Sequence, residues 1–326
     1  MEYRKLGKSN IEISAIAFGA WAAGGWMWGG TDQSDAVKAI QRSFDRGVTT
    51  IDTAPAYGFG LSEKIVGEAV SSFRDKVQIL TKFGLRWDTK EGEFYFTSHD
   101  NQGGSVNMHK FAGPKNVIKE CEESLKRLKT DYIDLYQIHW ADKTTPIEET
   151  YEAVSTLIRQ GKVLAAGVCN YSAEQIKTAE KAAIIVSNQV PYSMVNRGIE
   201  KEIVPYILET GKSILAYSPL QRGLLTGKIT ETTTFAEGDH RPTTAFFKPD
   251  FIKKTNAFLK KIKPLADEKQ ATLGQLVIKW TIEQPGITCA LVGARNAKQA
   301  EENAKAVSLK LNAEEIKFIN KAIDEV

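Results

Sequence analysis

Eight apolar runs of strand length, interleaved with segments of helical period, constrain the fold of this chain more than any other feature. The runs are ISAIAFG, TTIDTA, VQILTKF, YIDLYQIH, VLAAGVCN, IIVSNQV, SILAYSPL and CALVGA. Between them lie SDAVKAIQRSFDRG, PKNVIKECEESLKRLKT and PIEETYEAVSTLIRQG, closed by glycine or by basic residues as helix C-termini prefer. Such alternation signals parallel β/α units, and eight of them predict a closed (β/α)8 TIM barrel in the α/β class. An open doubly wound sheet would be expected to carry G-x-G-x-x-G after its first strand; here that strand runs into FGAWAAGG, which lacks the spacing. Ahead of it, YRKL and IEI flank GKSN, which predicts a β-hairpin plugging one end of the barrel.

A length of 326 residues suits one barrel domain over 1–326, with no linker or internal repeat in view. Hydrophobic residues make up 42% and charged ones 25%, and no apolar run reaches the ~18 residues of a membrane span. The polar start MEYRKLGKSN has no signal-peptide pattern. Charge is near balance, 43 basic against 40 acidic residues dispersed along the chain, so a nucleic-acid partner is not expected. Cys121, Cys169 and Cys289 are far apart and form no C-x-x-C pair, which fits a reducing, cytoplasmic setting without a structural metal or disulfides.

Three connections, residues 22–33, 84–113 and 221–250, exceed what a barrel needs, and all follow strands. Loops at strand C-termini build barrel active sites, so length there points to recognition. Three early strands end in ionisable groups: Asp52 with Tyr57 five residues later in a Gly-rich loop, Lys82, and His139. A cationic Lys82 beside Tyr57 is expected to lower the phenol pKa, with Asp52 keeping the lysine charged. Tyr57 then serves as general acid towards a carbonyl oxygen, and His139 orients that oxygen. No side chain carries a hydride, so a nicotinamide or flavin is implied.

At these residues the chain resembles the aldo-keto reductase superfamily, (β/α)8-barrel oxidoreductases that use NADPH. The resemblance rests on IDTAPAYGFGLSEKIVGEA, SLKRLKTDYIDLYQIHW, AAGVCNYS, SNQVPYS and YSPLQRGLLTGK, and covers the whole chain through its C-terminal helices, which are extra to the barrel. GGWMWGG and PIEET look closest to the bacterial branch that contains general stress proteins. Asp52, Tyr57, Lys82 and His139 match the catalytic tetrad. The resemblance further implies that Gly19, Ala20, Trp21 and Asp52 lie against the cofactor. Asn170 and Gln189 would hold the carboxamide, and Tyr217 would stack under the nicotinamide. Ser218, Leu220, Gln221, Gly223 and Lys228 would bind the pyrophosphate. In GARNAKQAEEN, Gly293 would permit close approach and Arg295 would pair with the 2′-phosphate, while Gln299, Glu302 and Asn303 would meet the adenosine. Gln299 and Asn303, four apart, share a helix face near an anion-favouring N-terminus. Ala20 and Cys169 stand where many members carry threonine and serine, each losing a hydroxyl near the cofactor.

Trp26, Met27, Trp28, Trp87 and Trp140 come from loops or strand ends on the active-site face, where they suit an apolar or aromatic carbonyl substrate or anchor the loops. The expected function is NADPH-dependent reduction of small aldehydes or ketones, with no metal and no nucleic-acid or membrane partner; the sequence does not fix the oligomeric state. A second reading is a cofactor-bound redox sensor or regulatory subunit with little turnover, like the potassium-channel β subunits of the same superfamily. The chain shows no N-terminal extension for acting on a partner. A third is a barrel lyase or isomerase holding a phosphorylated substrate at the GARN loop.

Overall fold

The computed structural model describes residues 1–324 and 326. The chain opens with the hairpin strands β1 (Tyr3–Lys5) and β2 (Glu12–Ser14), which pair antiparallel. The first half of the barrel follows as β3 (Ile16–Gly19), α1 (Gln33–Asp45), β4 (Thr50–Asp52), α2 (Leu61–Ala69) and β5 (Gln78–Phe83). An excursion of three short strands, β6 (Leu85–Arg86), β7 (Glu93–His99) and β8 (Ser105–Lys110), leads to α3 (Pro114–Leu128) and β9 (Ile133–Ile138). The barrel continues through α4 (Ile147–Arg159), β10 (Val163–Cys169), α5 (Ala173–Ala179), β11 (Ile185–Pro191), α6 (Ile203–Thr210) and β12 (Ser213–Tyr217). Last come α7 (Pro249–Glu268), α8 (Leu273–Ile282), β13 (Ile287–Val292), α9 (Ala297–Lys305) and α10 (Ala313–Ile323).

Strands β3, β4, β5, β9, β10, β11, β12 and β13 pair in parallel in that order, and β13 returns to β3 to close the expected (β/α)8 barrel. The eight apolar runs read in the sequence are these strands. Their outward side chains pack under the helices, as with Ile51, Ile79, Tyr136 and Val168 against Val66, Val117 and Leu157. Their inward side chains meet the plug: Leu6 and Ile13 of the hairpin are fully buried among Leu80, Leu135, Leu215, Cys289 and Leu291. One end of the barrel is therefore filled with hydrocarbon. The large cavity opens at the other end, where the strands point their C-termini.

Helix starts are fixed locally. Ser172, Thr272 and Asn312 each cap a helix in a reciprocal box with Gln175, Gln275 and Glu315, which satisfies backbone N–H groups that the first turn leaves free. Beyond the barrel set, α10 lies at the C-terminus and packs on α7, whereas α8 covers β13. One additional helix is thus an insertion before the last strand rather than a C-terminal appendage.

The 84–113 connection is an antiparallel sheet in the order β6-β8-β7. Its signal lies in the alternation of EFYFTSH followed by DNQGG, where Asp100 Oδ1 accepts from the backbone N–H groups of Gln102 and Gly104 at 2.8 Å each and turns the chain. Arg86 anchors the sheet beneath, held by Asp88 at 2.8 and 2.5 Å and facing the buried Glu120 at 3.4 Å. The other two long connections contain mainly turns and single 3-10 helical turns.

Candidate active site

The ends of β4 and β5 bring Asp52 and Lys82 together, 3% and 1% exposed. Lys82 Nζ donates to Asp52 Oδ2 at 2.7 Å and to the Thr53 carbonyl at 2.9 Å. The other carboxylate oxygen, Asp52 Oδ1, accepts from Gln189 Nε2 at 2.7 Å. Buried charge is tolerable only when paired and hydrogen-bonded, and these three bonds meet that condition. Burial would depress the Lys82 pKa, but the charge of Asp52 foremost outweighs it and the ammonium is held above its ordinary range.

Tyr57 stands over this pair, with Lys82 Nζ 4.9 Å from its ring centroid. Two glycines allow its loop to sit there. A Cβ on Gly24 would fall 2.6 Å from the Tyr57 carbonyl oxygen, and one on Gly58, at φ +66°, would fall 2.2 Å from the Gly24 oxygen. The 22–24 and 57–58 backbones are thus in contact that no larger residue permits. His139 follows β9, its ring 5.7 Å from that of Tyr57 and edge-on.

One expectation is corrected here. Desolvation raises the Tyr57 pKa to about 12, and the opposing charge of Lys82 only partly offsets it. The phenol is therefore stored protonated rather than shifted towards phenolate. His139 moves well below the ordinary histidine range, first through burial and then through Lys82, so its imidazole is neutral.

A cavity of about 740 Å3 opens above these groups, within the range of ~300–1,000 Å3 typical of ligand sites. Asp52, Tyr57 and His139 form its floor with Gly19 and Trp21; Lys82 lies beneath, behind Asp52. Asn170, Gln189 and Tyr217 line the next stretch. Asn170 donates to the His139 carbonyl at 3.3 Å and accepts from the Tyr217 hydroxyl at 3.0 Å, so these side chains are pre-positioned by one another. Beyond them the wall is made by Ser218, Leu220, Gly223 and Lys228, and the far end by Gly293, Arg295, Gln299, Glu302 and Asn303. Arg295 N–H donates to Gln299 Oε1 at 2.9 Å, and Asn303 Nδ2 to the Gly293 carbonyl at 3.1 Å.

The 218–223 turn has an unusual backbone. Ser218, Gln221, Arg222 and Gly223 have φ of +56°, +44°, +55° and +97°. Left-handed conformations at three side-chain-bearing residues cost about 1 kcal/mol or more each and are retained where function requires them. The buried Arg222 Nε also has no protein partner. Polar donors beside such a turn, together with Lys228 and Arg295, fit an elongated polyanion better than an apolar ligand. The cavity runs without interruption from Tyr217 to Arg295.

Three expected contacts are absent from the wall. Ala20 is fully buried behind it, its N–H donating to the Asp52 carbonyl at 2.8 Å. Gln221 turns away and accepts from Ser193 Oγ at 3.0 Å. Trp87 packs against Phe59 at 5.4 Å under the excursion sheet, as a loop anchor. Trp26, Met27, Trp28 and Trp140 do line the cavity. They are joined by groups the sequence reading left out: Leu85, Tyr95 and Phe96 from the excursion, and Arg222, His240 and Arg241 from the 221–250 connection. The alternation of EFYFTSH was a usable sign for the first group. No local pattern marked His240, which meets Met27 across 213 residues.

The aldo/keto reductase family model matches residues 15–324. The chain belongs to the aldo-keto reductase family. This aldo-keto reductase is 40% identical over 330 residues to the aldo-keto reductase YhdN of Bacillus subtilis, spanning 99% of this chain and 94% of that one. It is 33% identical to the NADH-specific methylglyoxal reductase of Escherichia coli, over 94% of each chain. Among solved structures it resembles the glycerol dehydrogenase AKR11B4 of Gluconobacter oxydans, with a TM-score of 0.89 and 35% identity over 99% of this chain and 96% of that one. As in the family, nicotinamide cofactors and small-molecule carbonyl substrates are the chemistry to be accommodated. Among the described residues no helix is long and apolar enough to cross a membrane.

Proposed function

We propose that this aldo-keto reductase reduces small aldehydes or ketones to alcohols with NADPH, with Tyr57 as the general acid. The observation carrying the reading is the placement of Tyr57 and His139 over a buried Lys82–Asp52 pair, on the floor of a cavity that runs past a left-handed turn to Arg295. A substrate carbonyl oxygen placed between Tyr57 and His139 accepts hydrogen bonds from both, which orients it and stabilises charge as it builds. A nicotinamide held beside them by Asn170, Gln189 and Tyr217 would supply the hydride. The Tyr57 proton passes to the oxygen, and the phenolate left behind is stabilised by Lys82, whose own charge Asp52 and Gln189 maintain. Asn170, Gln189 and Tyr217 are the residues to hold the nicotinamide end, and Ser218, Leu220, Gly223 and Lys228 the pyrophosphate. Gly293, Arg295, Gln299, Glu302 and Asn303 are those for the adenosine end.

Arg295 supports NADPH over NADH, because a guanidinium matches a phosphate dianion. Trp26, Tyr95, Phe96 and Trp140 favour an apolar or aromatic carbonyl compound. Residues 1–326 are read as one domain. Three buried free cysteines support a reducing, cytoplasmic setting.

Oxidation of NADPH and of NADH is to be followed against short aldehydes, aromatic aldehydes, sugars and quinones. Faster turnover with NADPH on an aromatic aldehyde is expected. Faster turnover with NADH, as the name of the Escherichia coli relative describes for that protein, would overturn the cofactor assignment. No response to any carbonyl compound, with cofactor bound, would favour a sensor instead.

A further inference from the structure

The adenosine end and the substrate end of the cavity meet at one residue, Trp28. Its carbonyl accepts from Arg295 Nη2 at 2.7 Å. Two guanidinium groups approach its ring, Arg241 Cζ at 5.1 Å and Arg295 Cζ at 5.5 Å from the centroid. The same ring abuts Trp21 edge-on at 5.4 Å and His240 at 5.6 Å. Trp21 is stacked on Tyr57 at 6.0 Å. A continuous chain of contacts thus leads from Arg295 to the general acid.

The backbone around Trp28 is a tight turn. Met27, Gly29 and Gly30 have φ of +64°, +71° and +93°, so left-handed residues flank Trp28 on both sides. Met27 is held there by His240, whose backbone N–H and Nδ1 both contact the Met27 carbonyl, at 3.2 and 2.6 Å. The turn is closed by the Trp28 and Gly30 N–H groups donating to the Gly25 carbonyl at 3.1 and 3.2 Å. Strain at Met27 persists only while such ties hold.

Arg295 therefore has two claimants. A neutral carbonyl accepts a single hydrogen bond from the guanidinium, whereas a phosphate dianion accepts two in parallel and adds the attraction of opposite charges. We propose that Trp28 is a positioning residue coupling 2′-phosphate occupancy to the substrate wall. Phosphate capture by Arg295 releases the Trp28 carbonyl, the 26–30 turn loosens, and the Trp28–Trp21 wall beside Tyr57 resets for substrate. This rests on the reading of Arg295 as the 2′-phosphate ligand.

Adenosine 2′,5′-bisphosphate separates the two ideas, because it carries the phosphate but no nicotinamide and does not reach Tyr57. Amide hydrogen exchange at residues 28–31 is measured on the whole protein with this probe, with 5′-ADP as the control. The expected result is about 5-fold faster exchange with the bisphosphate, the factor corresponding to one net hydrogen bond, and no change with 5′-ADP. Arg295→Gln is expected to exchange fast at these amides without nucleotide and to be insensitive to the bisphosphate. In steady state, the wild-type substrate KM is expected to differ between NADPH and NADH, and Trp28→Phe and Trp28→Ala to shrink that difference. Bisphosphate binding with unaltered or slowed exchange at 28–31 overturns the coupling and leaves the NADPH reading standing. Failure of the bisphosphate to bind overturns both.

Discussion

The strand-end floor of the cavity and its loop wall are held in opposite ways. Asp52, Lys82 and Gln189 sit on barrel strands, are almost fully buried, and are joined by hydrogen bonds of 2.7 Å over a hydrocarbon plug. The wall of Trp26, Trp28, Tyr95 and His240 comes from three long connections fastened at a few points: Arg295 to Trp28, His240 to Met27, and Trp26 Nε1 to Ser98 Oγ at 3.0 Å. A barrel can keep one proton-transfer floor and change its substrates by changing such loops. Disturbing the floor is therefore expected to affect rate and stability, and disturbing the wall to affect KM and cofactor choice.

The largest expected effect is on the floor. Tyr57→Phe removes the only hydroxyl proposed as acid and is expected to lower kcat by about 100- to 10,000-fold while NADPH Kd stays within a few-fold. Retained turnover would show that another donor works. Lys82→Met strips the cation from a buried carboxylate and is expected to cost about 3–5 kcal/mol in urea unfolding as well as activity. An unaltered unfolding midpoint would mean that Asp52 does not need its partner.

Wall changes are expected to be smaller and more selective. Arg295→Gln should weaken NADPH binding by about 1.5–3 kcal/mol and leave NADH binding unchanged, and calorimetric titration of both cofactors reads this directly. Equal weakening of both would place Arg295 away from the phosphate. Ser98→Ala leaves the Trp26 indole N–H without its partner and should cost about 1 kcal/mol, seen as a rise in substrate KM at constant kcat. A fall in kcat instead would tie the excursion sheet to the chemistry.

The two regions also differed in how far they could be read from sequence. Asp52, Lys82 and His139 were legible because each terminates an apolar run, and a parallel barrel gathers strand ends at one rim. Arg295, Gln299 and Asn303 were legible through the helix start after the last strand and the family resemblance. The charge state of Tyr57 was not, because its sign depends on how desolvation balances against Lys82, and depth is a property of the packed barrel. Nor was the bond from Gln189 to Asp52, which joins residues 137 apart. Trp87 looked equivalent to Trp26 on paper, yet only the assembled excursion sheet decides which indole faces the cavity.

The proposal that Tyr57 is stored as a neutral acid is tested most directly by the pH dependence of hydride transfer in both directions under single-turnover conditions. An acid with its pKa near 12 is protonated throughout the accessible range, and the neutral His139 adds no titration near neutrality. Carbonyl reduction is therefore expected to be flat from about pH 6 to 9, while alcohol oxidation, which needs the phenolate, rises about tenfold per pH unit over the same range. A reduction rate that falls with an apparent pKa near 8, and loses that fall in Tyr57→Phe, would show instead that Lys82 outweighs burial and that the tyrosine is poised as a phenolate.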